Sequence, residues 1–281
     1  MKKILLIAVT VTSVLAISSC AKDRVEGCTD PFSINYNPNA TDEDGSCFAP
    51  SSEKHALAGD FTGTWCPWCG FWGGPEFDKM IDASGTKVVP MGIHVTDEMT
   101  TAISSAFDAY YQAEGIVTGY PTLYVWNQGA FTDGTAGAAS VDAEIAVPTA
   151  EAGAIADFTD NGTALTISVS AKLFAEVTGD YFVAAYLMEN GLIYPQQVEG
   201  EPTVTDWVHN HVIRSSSNGS AWGEQWVFAA GQTGQAFNKT YSIEKDDNWN
   251  LDNMYCIAIV WKYDATSDKY SFVNVQSTEG R

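Results

Sequence analysis

Two cysteines separated by two residues constrain this chain more than any other stretch. They sit in Asp60-Phe61-Thr62-Gly63-Thr64-Trp65-Cys66-Pro67-Trp68-Cys69. The apolar run Ala56–Phe61 precedes them and reads as a strand. Phe77, Met80 and Ile81 follow at helical spacing. That context places Cys66 at a helix N-terminus, where free backbone N–H groups and the positive end of the macrodipole favour a thiolate. A thiolate three residues from a second thiol can attack a disulfide and then be released by its neighbour. The expected chemistry is thiol–disulfide exchange, with no cofactor called for.

Exchange of this kind needs an oxidising compartment, and the N-terminus points to one. Met1-Lys2-Lys3 and the apolar run from Ile4 to Ile17 have the charged and hydrophobic regions of a secretory signal over residues 1–19. The run is short for a membrane-spanning helix. It ends in Ile17-Ser18-Ser19-Cys20, which resembles a bacterial lipobox, so Cys20 is expected to carry lipid and anchor the chain to a membrane. The alternative is an ordinary cleavage site followed by a chance cysteine. The cell envelope of a Gram-negative bacterium, at the outer membrane, is the expected location, and disulfides persist there. The net charge of −21, from 35 acids against 14 bases, argues against nucleic acid as a partner.

Four further cysteines complete the set of six. Besides Cys20, Cys28 and Cys47 bracket a stretch dense in Asn, Asp, Pro and Gly within a tether spanning residues 20–52. A bond between them would close a loop of about 20 residues, worth roughly 3 kcal/mol in the chain-entropy model. The stretch resembles a small disulfide module of secreted bacterial proteins. Calcium on Asp30, Asp42, Glu43 and Asp44 is the alternative, but the spacing lacks the alternating oxygens and terminal glutamate of an EF-hand loop. Cys256 lies in a strand-like run and is expected to be a buried, inert thiol. With no second CxxC, a four-cysteine zinc site is not supported. Cys66 and Cys69 with His94 or His55 remain a formal metal set; no metal is expected.

Residues 53–150 read as β-α-β-α-β-β-α, with strands at Lys54–Thr62, Lys87–Val95 and Thr122–Trp126. A helix is expected from Met99 to Glu114 and a last one near Val141–Val147. Pro90 inside the second strand suggests a bulge or an edge. The Asp60, Phe61, Trp65, Cys66, Cys69 pattern resembles the active-site segment of thioredoxins. Gly115-Ile116, Gly119-Tyr120-Pro121-Thr122-Leu123 resembles their cis-proline loop. The resemblance implies an α/β thioredoxin-like domain in which Cys66 is the exposed nucleophile and Cys69 the buried resolving thiol. Asp60 would lie beneath and accept and return the Cys69 proton. Its alternative is a strand-end contact with solvent. Pro121, if cis, would sit beside the disulfide and leave backbone free to pair with an extended substrate. Trp65, Pro67, Trp68, Tyr120 and Thr122 would complete the substrate side. Trp68 is uncharged and withholds the stabilisation a His⁺ would give Cys66, so a moderate oxidant is expected. Gly73-Gly74-Pro75 departs from a regular helix; glycine costs roughly 1 kcal/mol and interior proline about 3. A break or kink there is expected, with the helix restarting at Pro75-Glu76.

After residue 150 the pattern turns to alternation. Leu165, Ile167, Val169 and Ala171 interleave with Thr166, Ser168 and Ser170, and further strands are expected at Tyr181–Met188, Trp226–Ala229, Phe237–Ile243, Tyr255–Tyr263 and Tyr270–Val275. Residues 151–281 therefore read as an all-β sandwich of immunoglobulin-like type. Trp207-Val208-His209-Asn210-His211-Val212-Ile213-Arg214 stands out. On one strand His209 and His211 would share a face and could bind a metal, although no third ligand is visible. This patch, with the upstream Phe-Thr-Gly-Thr-Trp-Cys segment, resembles the Omp28-related family of outer membrane lipoproteins over about residues 53–281. Two function classes follow. One is an envelope oxidoreductase acting on thiols or disulfides of exported proteins. The other is a non-enzymatic surface lipoprotein in which the CxxC is a structural bond.

Overall fold

Seven consecutive residues with no exposed member, Ala56–Thr62, form the strand β1 on which the site is built. Burial on both faces is what a strand covered by helices requires. The computed structural model describes residues 24–280, so the signal segment and Cys20 lie outside the described residues. Within residues 53–150 the elements are β1, helix α1 (Gly74–Ser84), β2 (Val88–His94), α2 (Ala102–Ala113), β3 (Thr122–Val125), β4 (Gly129–Phe131) and α3 (Gly134–Glu144). β1 pairs parallel with β2 and antiparallel with β3, and β3 pairs with β4. The last helix starts earlier than expected, at Gly134 rather than Val141, because Asp133 caps it. The Asp133 carboxylate accepts from the N–H groups of Thr135 and Ala136.

The side-chain alternation of β1 assigns its two faces. Leu57 and Phe61 pack with Ile103, Phe107 and Tyr111 of α2, while Ala56 and Ala58 pack with Phe77 and Met80 of α1. Asp60 and Thr62 share the parity of Ala56 and Ala58. The sheet face that carries Asp60 is therefore the one covered by α1.

The remaining chain is β-rich. It contains β5 (Ala152–Asp160), β6 (Ala164–Leu173), β7 (Asp180–Glu189), β8 (Leu192–Gln196), β9 (Val204–His209), β10 (Val212–Ser216), β11 (Glu224–Val227), β12 (Ala236–Glu244), β13 (Met254–Asp264) and β14 (Lys269–Ser277). β12, β6 and β5 form a three-stranded sheet. Its apolar side packs on β7 and β13 through Ala154, Leu165, Ile167, Leu187, Ala258 and Val260. β8 and β9 pair with each other as a two-stranded hairpin, while β7, β10, β11, β13 and β14 join the sheet of the first half. The order β14-β13-β7-β10-β2-β1-β3-β4 is continuous, with β11 also on β7, so one nine-stranded sheet runs across both halves.

The junction rests on one residue pair. β10 meets β2 in parallel at Val212 and Gly92, where the Gly92 N–H donates to His211 O (2.6 Å). A Cβ on Gly92 would come within 3.2 Å of the Asn210 and His211 carbonyl oxygens, so a glycine suits the close approach. Pro90 lies in β2 outside that single pairing, where its missing N–H is tolerated. The patch from Trp207 to Arg214 is two strands rather than one. β9 ends at His209, and His211 takes a left-handed φ of 58° before β10 begins. Among the described residues no helix is long and apolar enough to cross a membrane.

Candidate functional site

Cys66 and Cys69 are bonded to each other, and the helix begins immediately after Cys66, at Pro67. Proline suits that first position because its missing N–H would have had no partner. The Cys69 N–H lies 3.2 Å from Cys66 Sγ and donates to it. The first helical turn therefore directs an N–H at the sulfur proposed as nucleophile, which is the arrangement that favours a thiolate once the bond is reduced.

The helix does not break where the glycines and proline led us to expect. It runs without interruption from Pro67 to Ser84, with a π turn over Cys69–Gly73. The Gly74 N–H bonds Cys69 O, five residues back, and Gly73 and Gly74 keep right-handed helical angles. Widening by one residue absorbs Pro75, which cannot donate, and single π turns of this kind gather at functional sites. The glycines serve close contacts. A Cβ at Gly73 would meet the Pro121 ring at 2.7 Å, and one at Gly74 would meet Trp207 at 3.5 Å.

Asp60 is 6% exposed, and its Oδ1 has no hydrogen-bond partner among the described residues. Burial, with a smaller contribution from the Asp78 charge, pushes its carboxyl up to about 8 despite a hydrogen bond from Thr62. Asp60 and Cys69 line one cavity of about 70 Å³, together with Thr62, His94, Gln196 and His209. A space of that size and polarity is large enough to hold water. It joins a neutral-range acid to Cys69.

The Tyr120–Pro121 bond is cis, and the proline ring rests on Gly73 of the π turn. Tyr120 donates its hydroxyl to Asp108 (2.8 Å) and accepts from Gln112 (3.0 Å), while burial and Asp108 raise the phenol to about 12. Thr122 Oγ1 donates to Gly119 O (2.7 Å), which holds the loop rather than presenting a free hydroxyl. Trp65 donates its indole N–H to Val95 O (2.9 Å) and meets Tyr120 edge to face. Pro67 is half-buried in the first helical turn. Trp68 is 48% exposed and pairs with the exposed Phe71.

One expectation is reversed. Cys66 is not exposed: it and Cys69 are each 3% accessible. The segment that follows β8, to which sequence reading assigns no role, is bonded to the turn that carries Cys66.

Other neighbours were also missed. His94 Nδ1 pairs with Asp97 Oδ2 (2.7 Å), and the same carboxylate oxygen accepts the Thr64 N–H (3.0 Å), so Asp97 fixes the turn that leads into Cys66. Burial pushes the Asp97 carboxyl up, but the bonds from His94, Thr64 and Met99 outweigh it and hold it below its ordinary value. His209 sits edge-on to His94 at 5.1 Å, and burial followed by the His94 charge lowers its imidazole to about 4. His211 goes elsewhere. Its Nδ1 lies 2.9 Å from the Tyr255 hydroxyl and 3.5 Å from Glu279, so the two histidines do not form a common site.

The described residues hold one cluster of three potential metal donors: Cys28, Glu43 and Cys47. Cys28 and Cys47 are bonded to each other, which removes both thiolates. Glu43 accepts from Thr29 and Gly45, Asp30 from the Phe32 N–H and Asp44 from the Ser46 N–H, all within the module's own turns. Cys256 is fully buried, and burial raises its thiol well above the ordinary value.

A family model described as Outer membrane protein Omp28 matches residues 104–279. The chain belongs to the Omp28 family. That membership puts it at the outer membrane, in the Gram-negative cell envelope. The matched stretch of this Omp28-family chain starts within α2 and leaves Asp60, Cys66 and Cys69 outside it. Among solved structures, HBP35 of Porphyromonas gingivalis superposes with a TM-score of 0.65 at 16% identity, over 81% of this chain and 75% of that one. At that identity the agreement concerns the fold alone. A domain of the outer membrane lipoprotein Omp28 from Porphyromonas gingivalis shares 21% identity over 46% of this chain and 88% of its own, with a TM-score of 0.29. No curated protein matches the chain in sequence.

Proposed function

We propose that this protein is a cell-envelope thiol–disulfide oxidoreductase that acts on exported proteins and is held to its membrane by lipid on Cys20. Residues 53–150 are its thioredoxin-like domain, and residues 151–281 an immunoglobulin-like sandwich that supports it. The observation that carries this reading is Asp60, a buried carboxyl raised to about 8 that shares a small polar cavity with Cys69. A structural disulfide has no need of such an acid. A resolving thiol does, because it must lose its proton near neutral pH.

In the reducing direction, the Cys66 thiolate attacks one sulfur of a substrate disulfide. The substrate's second sulfur leaves and takes up a proton. Cys69 gives its proton to ionised Asp60, and the resulting thiolate attacks the Cys66 sulfur. The Cys66–Cys69 bond forms, the mixed disulfide breaks, and the released substrate thiolate is protonated from Asp60. Two electrons pass from the protein dithiol to the substrate. Oxidation of a substrate dithiol runs the same steps backward.

One observation favours the other reading, a binding lipoprotein with a structural CxxC bond: both cysteines are buried, each 3% accessible. Insulin reduction driven by dithiothreitol separates the two. Wild type accelerates precipitation of the insulin B chain and Cys66→Ser returns the rate to that of dithiothreitol alone. A wild-type rate equal to that baseline would overturn the oxidoreductase.

A further inference from the structure

A segment from the other half of the molecule is bonded to the turn that carries the buried Cys66. Directly after β8, Gln197 donates its N–H to Thr64 O (2.9 Å) and Glu199 donates to Pro67 O (3.1 Å). The buried Gln196 side chain adds bonds from Nε2 to Cys66 O (3.0 Å) and Gly63 O (3.3 Å). Donors at alternate residues are what one edge of an extended strand presents. The acceptors are the carbonyls of the turn that carries Cys66.

Gly70 permits the contact. A Cβ there would stand 2.4 Å from Gln197 O and 2.9 Å from Val198 Cγ2, so any larger residue would lift the segment off the helix. Beyond it the chain turns at Gly200, with a φ of 76°, and residues 199–203 are exposed. The tip buries little, and the first cross-strand pair behind it is Gln196 with Val204. A segment anchored by a few hydrogen bonds and little apolar burial opens at low cost. Around it, Trp65, Trp68 and Phe71 stay 40–54% exposed, a ring of aromatic surface about a covered sulfur.

We propose that Gln196–Glu199 is a strap lying where an extended substrate peptide docks. The partner this site takes is an unfolded segment of a disulfide-bearing protein, which offers backbone N–H groups to Thr64 O and Pro67 O once the strap lifts. The partner rests on the exchange reading above; the strap itself does not.

Alkylation of the fully reduced protein tests it, with labelling read at each cysteine by mass spectrometry. In wild type, Cys66 reacts more slowly than in the urea-unfolded chain, and a polyethylene-glycol maleimide is hindered more than iodoacetamide. Gln196→Ala, which removes the amide bonds, and Glu199→Pro, which removes the N–H to Pro67 O, each raise the native-state rate about tenfold. Continued protection of buried Cys256 shows that each variant is folded; if one is not, the other decides. A wild-type rate equal to the unfolded rate, or folded variants no faster than wild type, would overturn the strap. Faster alkylation without insulin turnover in any form would leave the strap standing and remove the partner and the exchange reading together.

Discussion

Ionising Asp60 places a charge on a strand residue that is nearly inaccessible, with Asp78 acting against it. Its folded value of about 8 lies above the 3.8 of the free side chain, so folding favours the protonated form. The linkage has a definite sign. Asp60 imposes no penalty below about pH 4; the penalty grows as pH rises from there and is complete above about 8. Asp60→Asn should therefore gain stability over wild type across that window and match its pH slope below it. Urea unfolding at pH 4, 6 and 8 checks this, and a constant difference would contradict it. At the same scale, Cys66, Cys69, Asp60 and Pro121 were legible because local spacing carries them. Gln196 was not: it reaches Cys66 O from 130 residues away, and nothing near Cys66 in the sequence calls for it.

The helix after the CxxC shows how propensity misleads about an element. Gly73, Gly74 and Pro75 each argue against a helix, yet the helix continues through them, its π turn ending at Gly73, because packing decides. Pro121 needs the space that a Cβ on Gly73 would take. Gly73→Ala should cost about 1–3 kcal/mol by forcing the proline loop outward, although alanine is the better helix former. The midpoint of urea unfolding reads this, and a stabilised variant would contradict the packing account. The strand and helix order of residues 53–150 was legible from alternation and helical spacing. The β8–β9 hairpin was not, since its exposed faces give no clean period and the break at His211 is set by contacts to Tyr255 and Asn190.

Across the whole molecule, one sheet and one core bind the two halves. Phe107 and Tyr110 from α2 meet Trp222 at 5.1 and 4.8 Å, Trp126 meets Trp261 at 6.2 Å, and Trp222 stacks on Tyr270 at 4.2 Å. Sequence patterning marks each half by its own period but carries no sign that β10 will join β2, because a single glycine makes that junction. The halves should unfold together. Trp261→Ala, emptying a fully buried position, should cost about 3–5 kcal/mol and shift the unfolding of helix and sheet signals equally. Two separated transitions would contradict a shared core. The strap depends on the same union, since it holds the CxxC turn only while β8 and β9 stay docked on it.

Equilibrating Cys66–Cys69 against glutathione redox buffers tests the exchange reading most directly. The helix N-terminus beneath Cys66 and the absence of a nearby cation within the CxxC predict a potential between those of thioredoxin and the strongly oxidising exchange proteins, about −270 to −120 mV. A bond below about −300 mV, resistant to the buffer in wild type and in Gln196→Ala alike, would mark it as structural and contradict the account.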